Sequence, residues 1–122
     1  MSQIGNPKPK YDLEERTLNF ARRVNNFVNK LPKTISNIEN GKQLVRSGGS
    51  VGANYIEANE SLSKKDFIMR VKISRKEAKE SRFWLELSQP IEKEMPEKQA
   101  LIQETNELMK IFGSILEKCK IV

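Results

Sequence analysis

Leu13, Thr17, Phe20, Val24, Phe27 and Leu31 follow one another at alternating spacings of four and three residues. A helix turning every 3.6 residues lines such positions along one face, so this seam commits its segment to an α-helix packed against partners. Ala21 and Val28 widen it. The rhythm returns in Phe67, Val71, Ser74, Ala78, Ser81 and Leu85, and again in Leu101, Thr105, Leu108, Phe112, Ile115 and Cys119. No β-strand alternation competes. The fold class is all-α.

Punctuation residues divide the chain. Residues 1–11 hold Gly5, Pro7 and Pro9 and read as a flexible basic N-terminal arm. Asp12 followed by Glu15 is a capping-box pattern, and Pro32 stops the helix it opens. Thr34 caps a second helix; Ser63 with Asp66 caps a third, which Pro90 ends. Pro96 suits the first turn of a fourth. The expected helices are about 12–31, 35–61, 64–88 and 96–119, forming one bundle domain over 12–119. Short connections place successive helices antiparallel, as an up-down-up-down four-helix bundle.

The second helix is the least regular. Its inward stripe reads Ile38, Val45, Gly49, Gly52 and Ile56, with a neighbouring stripe of Leu44, Val51, Tyr55 and Leu62. The central SGGSVGA is a poor helix former, each glycine costing about 1 kcal/mol against alanine. It marks either a close approach of another helix or a break into two shorter helices. The apolar phase runs unchanged through the glycines, which favours continuity. Small residues midway along the third helix match them, so these two helices are expected to lie close together.

The third helix carries a second surface. Met69, Ile73, Trp84 and Leu87, with Phe83 at the edge, gather well off the Phe67–Leu85 seam. Such a cluster either covers an end of the bundle or forms a subunit interface, where Trp, Phe and Met are enriched. The expectation is a homo-oligomer. Basic charge concentrates on helices one and three. Residues 63–91 hold eight basic and four acidic side chains, net +4, within a chain of net +6. Arg22, Arg23, Lys65, Lys72, Lys76 and Lys79 are the candidate nucleic-acid contacts, the four lysines sharing one angular sector. RNA, DNA or an acidic protein are the partners such charge suits. The competing reading is a solvated face with i,i+4 pairs such as Lys76 with Glu80. Aromatic side chains interleaved with the lysines as a stacking platform are not evident.

Catalytic chemistry finds no foothold. The chain has no histidine, which excludes His-based triads and His-ligated metals, and Gly48, Gly49 and Gly52 fit no phosphate-loop spacing. Cys119 is the single cysteine, which reads as a small buried hydrophobe, so no disulfide forms and no cysteine metal site closes. No catalytic residue, metal or cofactor is expected. Neither a signal-peptide core nor a membrane-length apolar run occurs, and cytoplasmic residence with no membrane partner is the expectation.

QLVRSGGSVGANYIEA, then SKKDFI, then KEAKESRFWLEL resemble the bacterial four-helix-bundle proteins called 23S rRNA intervening-sequence proteins. ARRV at Ala21–Val24, LP at Leu31–Pro32 and ELMKIFGSI at Glu107–Ile115 fit too, so the resemblance covers about residues 12–118. Gly48–Gly49 departs, since relatives more often carry Ala, Ser or Thr there. The resemblance implies an antiparallel bundle assembled as a homopentamer, from genes named for insertions in large-subunit ribosomal RNA genes. A related branch, the accessory proteins of diversity-generating retroelements, uses a basic pentameric barrel to engage a reverse transcriptase and its RNA. No catalytic residue carries over. The leading expectation is therefore a non-enzymatic, oligomeric RNA- or DNA-binding protein. The alternative is a protein-interaction scaffold or accessory factor for a partner such as a reverse transcriptase.

Overall fold

The computed structural model describes residues 9–120, with side chains from Leu13 onward. Four helices follow one another: α1 (Pro9–Asn29), α2 (Ile35–Asn59), α3 (Lys64–Leu87) and α4 (Met95–Lys120), with a 3-10 turn at Glu92–Glu94 before the last. They form a four-helix bundle with no strand among the described residues. Residues 1–8 of the expected arm lie outside the described residues. Helix α1 already begins at Pro9 and runs through Asp12, so Asp12 is not its cap.

The other start signals act as the sequence indicates. Thr34 Oγ1 accepts from the Asn37 amide at 3.2 Å, and Ser63 Oγ accepts from the Asp66 amide at 3.1 Å. Each satisfies one of the amide groups that a helix start leaves without an internal partner. Asn37 does more. Its Nδ2 donates to the carbonyls of Pro32 and Gln89, and its Oδ1 accepts from the Gln89 amide, tying the α1–α2 connection to the end of α3.

The seams of α1 and α3 form the core as expected: every α1 seam position from Leu13 to Leu31 is buried, as are Val71, Ser74, Ala78, Ser81 and Leu85. Phe67 packs half-buried against them. In α4 the seam holds through Phe112, after which Leu116 takes the inner position while Ile115 and Cys119 are half-buried. Helix geometry explains the slip, because 3.6 residues per turn drifts against a 3.5-residue repeat.

Helix α2 is continuous through its glycines but rotated from the expected stripe. Its core face is Leu44, Ser47, Gly48, Val51, Gly52, Tyr55 and Ala58; Ile38, Val45 and Ile56 are 41–47% exposed, Gly49 is exposed and Leu62 lies fully in solvent. Of the expected inward stripe only Gly52 faces inward. The glycines serve α1. A Cβ on Gly52 would sit 2.8 Å from Thr17 Oγ1, and one on Gly48 3.1 Å from Val24 Cγ1. Serines serve α3: Ser74 Oγ donates to the Val51 carbonyl at 2.9 Å, and Ser81 Oγ donates to Ser47 Oγ at 2.9 Å. Side chains that short reach a neighbouring helix only where the axes approach closely.

Two glycine substitutions should therefore differ in sign. Gly52→Ala drives its methyl into Thr17 and should destabilise by about 1–2 kcal/mol net, overpacking outweighing the helix-propensity gain. Gly49→Ala meets nothing within 4 Å and should stabilise by up to about 1 kcal/mol. Chemical denaturation of the two variants beside the parent measures both.

Candidate polyanion-binding interface

The six candidate basic residues do not form one surface. Arg23 lies on α1 and donates to both carboxylate oxygens of Glu97 on α4 at 3.1 and 3.2 Å. Its neighbour Arg16 donates to Glu104 at 2.7 and 2.9 Å and to Glu107 at 2.7 Å. The Glu104 carboxylate raises the already high Arg16 value further. Gln103 donating to Glu107, with Arg16 beside it, holds that carboxyl below the usual range. Arg22 lines the same cleft, beside Glu15 and Glu104. Carboxylates of α4 thus compensate much of the α1 charge.

Helix α3 is the reverse case. Lys65, Lys72, Lys76 and Lys79 are all exposed, and none forms an ion pair among the described residues. The i,i+4 pair between Lys76 and Glu80 does not form. Glu80 instead takes Arg46 of α2 as an ion-pair partner and accepts from Trp84 Nε1 at 3.4 Å. Glu77 is drawn the same way: it is only 7% exposed, with Oε1 3.5 Å from Arg46 Nη1 and no hydrogen bond there. Two of the four acidic residues nominally neutralising this segment are committed to α2.

The freed charge collects along the α3–α4 boundary. One cleft is lined by Lys72, Arg75, Lys76 and Lys79 over Met109 and Leu116. The next, sharing Arg75 and Met109, adds Arg82 and Lys110 beside Gln103, Asn106 and Gly113. Neither lining contains a carboxylate. Arg82 donates to the neutral Asn106 Oδ1 at 2.7 Å, so its charge is oriented and not cancelled. The structure brings Lys72, Lys76 and Lys79 together, leaves Lys65 two turns away along the helix, and puts Arg22 and Arg23 in another cleft. Arg75, Arg82 and Lys110 were missed as candidates. The first two were visible as charge on α3, but the cleft that joins them to Lys110 exists only once α4 packs.

Chemically the cleft offers cations on apolar walls, which suits phosphates or carboxylates. No group of three or more His, Cys, Asp or Glu side chains that could hold a metal occurs among the described residues. Burial pushes the Tyr55 phenol up, so it stays protonated near neutrality. No described helix is long and apolar enough to cross a membrane.

Two apolar stripes remain at the surface. On α3, Met69 and Leu87 are exposed, while Ile73 and Trp84 are half-buried, Trp84 packing against the core. On α2, the misassigned Ile38, Val45 and Ile56 make the other, and the α1–α2 groove beside Ile38 and Val45 also holds Val28, Leu31 and Pro32.

Among curated proteins none matches this chain. The crystal structure of a Bacteroides thetaiotaomicron protein of unknown function from the S23 ribosomal protein family is similar to it, with a TM-score of 0.74 and 31% identity over 88% of this chain and 97% of that one. The 23S rRNA-intervening sequence protein family matches residues 10–114, a span taking in most of the bundle and the whole lysine-bearing helix. On that match and that structural likeness, the chain belongs to the 23S rRNA-intervening sequence protein family.

Proposed function

We propose that this protein is a non-enzymatic cytoplasmic homo-oligomer of antiparallel four-helix bundles that binds nucleic acid by its phosphates. One observation carries the reading: the α3–α4 cleft gathers Lys72, Arg75, Lys76 and Lys79 with no carboxylate in its lining. A polyphosphate strand lies along such a row and releases its counterions. Phosphate contacts position without reading sequence, so little base preference is expected. Lysine acetylation with and without bound RNA, read by mass spectrometry, tests the location. Protection should centre on Lys72, Lys76 and Lys79; protection at other lysines alone would move the site.

The antiparallel arrangement is supported by the cross-helix pairs. Arg16 meets Glu104 while Arg23 meets Glu97, so numbers rise on α1 as they fall on α4. Arg46 meets Glu80 while Asn54 meets Arg70, and α2 and α3 are related in the same way. Self-association is supported by the two uncovered apolar stripes. Different patches on α2 and α3 that meet between copies make a head-to-tail contact, which closes into a ring when the rotation allows. Five subunits is what the family resemblance implies. Leu87→Glu and Met69→Glu place a charge at exposed positions without cutting into the core, and each should yield smaller species by light scattering. Unchanged mass in both variants would remove the α3 stripe from the interface.

A further inference from the structure

Helix α3 is uninterrupted from Lys64 to Leu87, so Lys72, Lys76, Lys79 and Phe83, at steps of four, three and four, share one ridge. Phe83 is 55% exposed, and among the described residues it is the one aromatic ring in that condition. It is not loose. Trp84 braces it with ring centroids 5.0 Å apart and planes at 78°, and Trp84 itself packs against the core and donates to Glu80. A lone exposed apolar side chain needs no explanation. A held ring ending a row of lysines that form no ion pair among the described residues does.

Phosphates and an aromatic face together select a ligand. Lysines serve any polyanion, but a ring gains from stacking only where an unpaired base can turn its face outward, which a duplex does not offer. At 1.5 Å rise per residue, Lys72 to Phe83 spans about 16 Å, a run of a few nucleotides. We propose that the ridge Lys72–Lys76–Lys79–Phe83 takes single-stranded nucleic acid, the lysines holding successive phosphates and the Phe83 ring stacking on one base. This rests on the nucleic-acid reading above and narrows it to single strands. Two copies meeting face to face on this ridge would set like charges against each other, which disfavours a self-contact there.

The test compares the full-length protein with Phe83→Ala, Phe83→Leu and Phe83→Tyr. Fluorescence anisotropy would follow a labelled mixed-sequence single-stranded RNA of twelve nucleotides and the duplex of the same length, at several salt concentrations. Far-ultraviolet circular dichroism and native mass are recorded for each variant. Phe83→Ala and Phe83→Leu should weaken single-strand binding roughly tenfold, the scale of one lost base stack, with the salt slope and duplex affinity unchanged. Phe83→Tyr should keep parental affinity. The stacking role is overturned if the Ala and Leu variants bind single strands like the parent, or if the parent prefers the duplex. A changed native mass in these variants would assign the ring to a subunit contact and overturn it as well. A parent that binds neither ligand would sink the nucleic-acid reading itself, an outcome distinct from a binding parent with indifferent variants.

Discussion

Lys72→Glu, Lys76→Glu and Lys79→Glu together should weaken nucleic-acid binding about a thousandfold at 0.1 M salt and leave helicity intact. Each reversal replaces an attraction to phosphate with a repulsion, and about 1.4 kcal/mol per position, near the aqueous Coulomb scale at contact distance, is a factor of ten. None of the three lysines is in an ion pair among the described residues, and all are exposed, so the fold loses no described partner. Adding Lys65→Glu should deepen the loss only slightly, because Lys65 stands two turns from the cleft. Arg23→Glu is the informative contrast. Its guanidinium is committed to Glu97, so that change should cost stability and barely touch binding. Anisotropy titrations and thermal melts of the same preparations separate the two effects.

Ser81→Leu should destabilise the protein by about 3 kcal/mol and lower its melting temperature by roughly 10 °C. The Ser81 hydroxyl is buried against Ser47 on α2, and Ser74 reaches the Val51 carbonyl a few turns away. A leucine there must separate helices that serine-sized side chains hold close. It also removes the buried hydrogen bond between the two hydroxyls, leaving Ser47 only its bond to the Leu44 carbonyl. Ser81→Ala removes the hydroxyl without the bulk and should cost about 1 kcal/mol. A melting curve for Ser81→Leu that overlies the parent's would mean that α2 and α3 are not packed at this distance.

This serine seam also explains which regions of the fold were legible in the residues. Helices α1 and α3, and α4 as far as Phe112, bury one apolar stripe apiece, so periodicity alone located their cores. Helix α2 has neighbours on two sides so close that its inner face is small where they touch: Gly48 and Gly52 under α1, Ser47 under α3. Leu44, Val51 and Tyr55 of the neighbouring stripe fill the rest of that face, while Ile38, Val45 and Ile56 are exposed, so two apolar stripes shared the helix and only the packing of α1 and α3 chose between them. The glycines did announce close packing. They did not announce against which helix.

Charge was legible in amount and not in pairing. Composition placed the basic excess on helices one and three, yet a count cannot tell that Glu97, Glu104 and Glu107 of α4 would quench α1. Nor does it tell that Arg46 would draw Glu77 and Glu80 away from the α3 lysines. Those pairs lie between 31 and 91 residues apart in sequence, beyond any local spacing rule. The fold converts two similar charge runs into one compensated surface and one uncompensated cleft. A basic helix is common; a basic cleft emptied of carboxylates is what makes a phosphate site credible.

The most direct test of the central claim is the salt dependence of single-stranded RNA binding by the intact protein, with its native mass recorded in each buffer. Four contacts from Lys72, Arg75, Lys76 and Lys79 predict log affinity falling against log salt with a slope near 3 per binding site, at about 0.7 per phosphate neutralised on a single strand. A slope near that value in an intact assembly is the predicted result. Absence of binding at low salt would contradict the account and reduce the α3 charge to a means of solubility.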